Sequence, residues 1–401
     1  MFQGWWIIAT HFIVMFFATG FYTYALPLVV PAVIEELGSD ASTINSLFSI
    51  VMILGAIVSP VAGPLVDRWS ARGLLLIGVT SLVAALLGLS FVQSDIAFVI
   101  VGGVLLGIMG PLCGPMAGSA VISRWFTATR GRALGIAAIG TSIGGFVIPR
   151  SLGVAMETIG WRAGLRGLAL VVVIVAVPLL LFRFWDRPEQ RGLEAEAASE
   201  EGDSVNVSAD EPMTSGEILR RRDFWLFTTG LSLFLACYMG TLANLGAYFS
   251  DAGIESGDAA SLMSYVAAGG VLGKLGFGYL ADRIPLKVGF GAAIVSTGAA
   301  LFVLTLTPGY AGLALATFLL GVATGGILPV WNAIVPALFG LQNFGRAMGL
   351  MAPATSLVSA PTFLIIGFVR DSAGSYTPVF QGFIGVLVLA LLAIVPLRVM
   401  R

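Results

Sequence analysis

The chain has 401 residues, of which 57% are hydrophobic and only 11% charged, with a formal net charge of −1. Soluble domains are about a quarter charged, and a soluble fold of this size does not hide so much apolar surface. An ordinary soluble protein, a disordered chain and a nucleic-acid binder are therefore excluded.

An apolar helix crosses a bilayer with about 20 residues. Twelve such runs are predicted, near residues 5–33, 43–65, 73–92, 96–121, 132–155, 164–184, 224–249, 259–281, 288–307, 311–338, 347–369 and 378–397. The first run is too long for a cleaved signal peptide and lacks a basic start and a small-residue cleavage site before Glu35 and Glu36. It carries the interfacial pair Trp5 and Trp6, the single histidine His11, and Tyr22 and Tyr24. The second run ends in Gly63-Pro-Leu-Val-Asp67-Arg68, and the fifth opens on Arg130-Gly-Arg132-Ala-Leu-Gly135. Between the sixth and seventh runs, residues 185–223 are rich in charge, Ser and Ala. They read as a flexible linker, with a short amphipathic helix around 214–222. The linker divides the chain into an N-terminal six-helix bundle, 1–184, and a C-terminal one, 224–401.

Lysine and arginine set orientation. With the N-terminus cytoplasmic, 16 of the 21 fall on the cytoplasmic side, and only Arg162, Arg166 and Arg370 fall opposite. Arg150 and Lys274 remain inside spans. An even number of spans places both termini in the cytoplasm. The expected location is the inner membrane, as a monomer in the bilayer with no nucleic-acid partner.

The halves repeat at an offset of 214–215 residues. Gly278-Tyr-Leu-Ala-Asp282-Arg283 copies the loop after span 2, Phe344-Gly-Arg346-Ala-Met-Gly349 copies the start of span 5, and Gly321 and Pro329 answer Gly107 and Pro115. Two six-helix halves in one orientation imply a pseudo-two-fold along the membrane normal with a pathway between them. The repeated Gly-x-Leu-x-Asp-Arg loop and the six-plus-six layout resemble the major facilitator superfamily. Gly4-Trp5-Trp6, Glu35-Glu36-Leu37-Gly38 and Arg124-Trp125-Phe126 are further similar to bacterial relatives of the monocarboxylate transporters and oxalate/formate antiporters. The resemblance implies an all-α membrane protein of twelve helices that carries small organic anions.

Lys274 is the sharpest candidate. It lies past the middle of its span, where a cation is expensive and faces protein or a water-filled cavity, in the service of substrate or coupling. Snorkelling to the headgroups is the alternative, with seven residues of the span still to run. In the resembling families a cation on this helix, before the Gly-x-x-x-Asp stretch, binds the substrate anion. It is usually arginine; lysine is a point charge. Those families often place an aspartate one turn earlier, where this chain has Gly270. Arg150, behind Pro149, is a second ligand or an outer-gate ion pair with Glu157, Asp251 or another external acid.

No Asp or Glu falls inside a predicted span, so the two cations leave a positive cavity suited to a carboxylate. Trp331, Asn332, Tyr24, Asn244 and Tyr265 are candidate lining residues, against a plain packing role for each. His11 is a helix contact or a proton relay. Asp67, Arg68, Arg132, Asp282, Arg283 and Arg346 are candidate gating residues beside helix N-termini, against a role as topology signals alone. Two cysteines and one histidine make neither a disulfide framework nor a metal site, so no metal and no cofactor is expected. An enzyme needs a nucleophile–base pair or metal ligands at depth, and neither is present. A transporter-like sensor needs an output domain larger than the linker. The reading is a secondary carrier of a mono- or dicarboxylate, working by exchange. The alternatives are a proton-coupled monocarboxylate symporter and an exporter of amphipathic compounds.

Overall fold

The computed structural model describes residues 3–68, 70–126, 129–193, 213–281, 285–306, 309–340 and 343–397. In these residues the regular structure is helical, as lipid demands of a chain that must satisfy its own backbone polar groups. The described residues hold twelve long helical segments, with the longest stretch between two of them separating the sixth from the seventh. Eleven are long and apolar enough to cross a membrane by hydropathy. The twelfth, Ser256–Ala281, has 26 residues, about 39 Å at 1.5 Å per residue. The fold is an all-α membrane fold of twelve spans in two six-helix bundles.

The chain divides into two compact units, Met1–Ser39 with Ser46–Ser204, and Asp40–Asn45 with Val205–Arg401. Unit 1 opens with α1 (Gly4–Thr19) and α2 (Leu26–Leu37), joined without a break by a π-helical segment, Gly20–Ala25. It continues with α3 (Ala41–Arg68), α4 (Ala71–Phe91), α5 (Asp95–Cys113) and α6 (Pro115–Trp125), then α7 (Arg130–Ile159) and α8 (Trp161–Phe182). The fourth span is thus split at Gly114, whose extended backbone ends α5 just before Pro115. Gly38 closes α2 at φ 63°, a left-handed cap that a side chain strains.

Unit 2 holds α9 (Ser215–Arg220), α10 (Arg222–Asp251), α11 (Ser256–Ala281), α12 (Leu286–Thr305), α13 (Tyr310–Phe339), α14 (Phe344–Ala373) and α15 (Thr377–Ile394). The first residues of α3, Asp40–Asn45, group with it. The Asp371 carboxylate near the end of α14 accepts the Ala41 and Ser42 N–H groups at 3.2 and 2.9 Å, two of the four donors that a helix start leaves open.

The internal repeat reappears in each unit's own packing. In unit 1, α1 packs on α7, α4 on α5 and α4 on α8; in unit 2, α10 packs on α14, α12 on α13 and α12 on α15. Apolar side chains also cover much of the outer surface: Phe91, Phe182, Leu275, Leu357 and Phe368 are all more than 60% exposed. Such a surface belongs in a lipid solvent.

The segment read as a flexible linker is folded at both ends. Asp186, buried, accepts the Arg72 N–H at 2.8 Å and caps the start of α4. The Arg72 and Arg191 guanidiniums lie 4.9 and 4.2 Å from the Trp185 ring, and the Trp125 indole donates to the Trp185 carbonyl. At the far end the short helix expected around 214–222 is α9, which starts on a capping box in which Thr214 and Glu217 satisfy each other's backbone N–H. Only residues 194–212 of that segment lie outside the described chain.

Candidate functional site

Lys274 sits on α11 where this helix meets α13 backbone to backbone. Gly269 and Gly273 of α11 face Gly321 and Gly325 of α13, with the same four-residue spacing on each side. A Cβ on Gly269 would collide with the Phe318 carbonyl, and one on Gly321 with the Val266 carbonyl. A Cβ on Gly325 would collide with the Gly270 carbonyl and stand 2.7 Å from the Lys274 backbone nitrogen. Such close approach is the usual purpose of paired small residues in membrane helices. Here it fixes the Lys274 backbone at the seam, with a half-buried side chain. Gly270, the position of the absent aspartate, is buried and contributes its carbonyl to this contact.

The other residues of unit 2 fall at different levels. Trp331 lies six residues past Gly325, about 9 Å further along α13. Its Nε1 is buried with no protein acceptor. The Asn332 side chain lies outside the described part. Asn244 holds a polar knot: its Oδ1 accepts from Asn45 Nδ2 at 2.9 Å and from the Tyr376 hydroxyl at 3.4 Å, while its Nδ2 donates to the Gly240 carbonyl. Its hydrogen-bonding capacity is largely spent on packing. Tyr265 shares a side-chain hydrogen bond with Tyr310 at the start of α13. It lies nine residues before Lys274, about 13 Å away along α11.

In unit 1 a second glycine seam orders the candidates. Cβ atoms on Gly140 and Gly144 of α7 would collide with the Phe12 and Phe16 carbonyls of α1, and one on Gly20 with Gly144. The two pairs share a register of 128 residues, which carries Tyr24, buried in the π segment, to the level of Leu152. Arg150 is therefore near that level on α7. It is exposed, and its guanidinium lies 5.0 Å from the Phe146 ring one turn earlier. Asp251, named among the expected partners of Arg150, pairs with Arg370 at 2.8 Å within unit 2.

His11 is 3% exposed. It packs where Gly118 of α6 has no side chain, since a Cβ there would collide with the imidazole. Its Nδ1 is buried without a protein partner. It is 13 residues from Tyr24, about 20 Å along the helix.

Of the gating candidates, Arg132 and Arg346 are exposed, and Arg346 donates to the Met213 carbonyl at the linker's end. The Asp67 and Arg68 side chains, and Asp282 and Arg283 altogether, lie outside the described part. Among the described residues, no group of His, Cys, Asp or Glu is placed to hold a metal ion.

Sequence reasoning missed the π segment, the Gly118 cradle and the capping roles of Asp186 and Asp371. A glycine one helix away from a histidine leaves no local signal. The break in the fourth span was missed as well, although Gly114-Pro115 behind Pro111 is a local signal that could have found it.

The family description "Major Facilitator Superfamily" matches residues 11–306 and 250–400. Human monocarboxylate transporter 11 is 26% identical over 94% of this chain and 79% of that protein. The MFS-type transporter pynF of Aspergillus niger is 25% identical over 93% of this chain and 80% of its own length. Among solved structures, a bacterial homologue of the human lysosomal transporter Spinster superposes with a TM-score of 0.68 at 14% identity, covering 97% of this chain and 94% of that one. With its twelve spans, its repeated packing and a family match along nearly its whole length, the chain belongs to the Major Facilitator Superfamily and is a multi-pass membrane transporter.

Proposed function

We propose that this transporter carries a small mono- or dicarboxylate across the inner membrane by alternating access, in exchange for a second anion, and that Lys274 binds the carboxylate. The position of Lys274 carries the reading. It is a cation deep in a membrane helix, held at a glycine seam, and every Asp and Glu of the twelve spans lies in a first or last turn. An ionisable side chain at that depth marks a substrate or coupling site by default. The relatives named monocarboxylate transporters support the substrate class. Arg150, Trp331, Asn332, Tyr24, Asn244 and Tyr265 are the further substrate-binding candidates. Asp67, Arg68, Arg132, Asp282, Arg283 and Arg346 are the gating set. The excess of Lys and Arg on one side, 16 against 3, supports cytoplasmic termini.

The test is carboxylate affinity of purified wild type and Lys274→Ala by calorimetry. A hydrogen bond to a charged group is worth about 1.5–3 kcal/mol, so binding should weaken roughly ten- to a hundred-fold, with Lys274→Arg retaining part of it. Equal affinities remove Lys274 from the site.

A second reading, proton-coupled symport, is favoured by His11, whose buried Nδ1 has no protein partner. Proton uptake accompanying carboxylate in liposomes, abolished in His11→Ala, separates it from exchange.

A further inference from the structure

We propose that unit 1 carries a binding site for a phosphate group at the membrane boundary where α2 and α4 end and α8 begins, and that its occupant is a lipid phosphodiester. A cavity of about 420 Å³ opens there, lined by Glu36, Ser90, Phe91, Gln93, Arg162 and Arg166. Its two arginines are held in place by the end of α4. Arg162 donates to the Ser90 and Val92 carbonyls at 3.1 and 2.7 Å and pairs with Glu36 at 2.9 Å. Arg166 donates from Nε and Nη2 to the Ser90 hydroxyl and carbonyl, each at 3.2 Å. Among the described residues, no protein acceptor reaches Arg162 Nη2 or Arg166 Nη1, and no acid pairs with Arg166. The site thus presents unspent guanidinium donors, oriented by backbone carbonyls. Its formal charge of two arginines against one glutamate is +1, which a monoanionic phosphodiester balances.

The surroundings favour a lipid over a dissolved ion. Arg166 lies five residues into α8, about 7.5 Å of rise, from where its long side chain reaches up to the headgroups at the edge of the hydrocarbon core. Its guanidinium lies 4.3 Å from the Phe91 ring. Phe91 is 64% exposed and Leu170, one turn on, 60%, an apolar flank for acyl chains. Guanidinium groups match phosphate oxygens in fixed pairs.

The experiment is native mass spectrometry of delipidated protein in detergent, with phosphatidylglycerol and with diacylglycerol of the same chains as probes. The expected result is a one-to-one phosphatidylglycerol adduct on wild type, weakened about ten-fold or more in Arg166→Gln, with no comparable diacylglycerol adduct. Thermal unfolding with millimolar inorganic phosphate separates the sources. Stabilisation of wild type by phosphate, lost in Arg166→Gln and without a lipid adduct, keeps the phosphate site and overturns the lipid as its occupant. Equal phosphatidylglycerol occupancy in wild type and Arg166→Gln overturns the site. If Arg166→Gln does not fold, the wild-type comparison decides, because diacylglycerol binding as well as phosphatidylglycerol refutes recognition of phosphate.

Discussion

Substituting Gly325→Ala presses one methyl group into the seam that carries Lys274. The new Cβ would stand 2.7 Å from the Lys274 nitrogen and closer still to the Gly270 carbonyl oxygen. Ordinary contact begins at about 3.5–4 Å, so α11 and α13 must part by roughly 1 Å. Overpacking of this kind costs about 1–3 kcal/mol of stability. It also moves the ammonium group off its position. Losing about half of a charged hydrogen bond worth about 1.5–3 kcal/mol removes about 1 kcal/mol, or about five-fold in affinity. The assay is thermal unfolding in detergent together with carboxylate binding by calorimetry. Gly276→Ala is the control, because it lies on the same helix with open space around its Cβ position. It should leave binding unchanged and alter stability by at most about 1 kcal/mol, upward, through reduced freedom of the unfolded chain. Unchanged stability and affinity in Gly325→Ala would refute the seam as the device that positions Lys274. Equal damage from Gly276→Ala would also refute it, since packing would then not be the cause.

Asp186→Ala leaves the Arg72 N–H at the start of α4 without its acceptor, which should cost about 1–2 kcal/mol in thermal unfolding, whereas Asp186→Asn should keep most of it. Asp40 accepts the Thr43 N–H and the Ser42 hydroxyl, at 2.6 and 2.8 Å, and these bonds hold its carboxyl below the usual range. Its folded value is thus lower than its unfolded one, so its contribution is complete above the unfolded value and fades as pH falls through the folded one. The stability difference between wild type and Asp40→Asn should be full at neutral pH and shrink below about pH 4, as read by unfolding across that range. A cysteine at Ser204 should escape an impermeant external reagent in intact cells. The native Cys113 and Cys237 are buried and give little background; strong labelling at 204 would invert the topology.

The twelve spans were legible because each is a local property: a run of about 20 apolar residues suits the bilayer whatever its neighbours do. The repeat was legible for the same reason, since Gly-x-Leu-x-Asp-Arg stands in the chain twice. The depth of Lys274 on its helix followed from counting residues. What surrounds Lys274 did not, because Gly325 lies 51 residues away and only the crossing of α11 with α13 brings the two together. Asn244 and Tyr265 read as pathway residues because a polar group in an apolar span looks functional by itself. The chain order does not reveal their hydrogen-bond partners, Asn45, 199 residues distant, and Tyr310, which only the helix packing brings to them. The linker's start likewise looked solvated by composition, yet Asp186 caps α4 through Arg72, 114 residues earlier. In lipid, hydrophobicity decides helix by helix which segments enter the membrane, whereas a buried polar group takes whichever partner the neighbouring helix presents. That choice belongs to the tertiary structure.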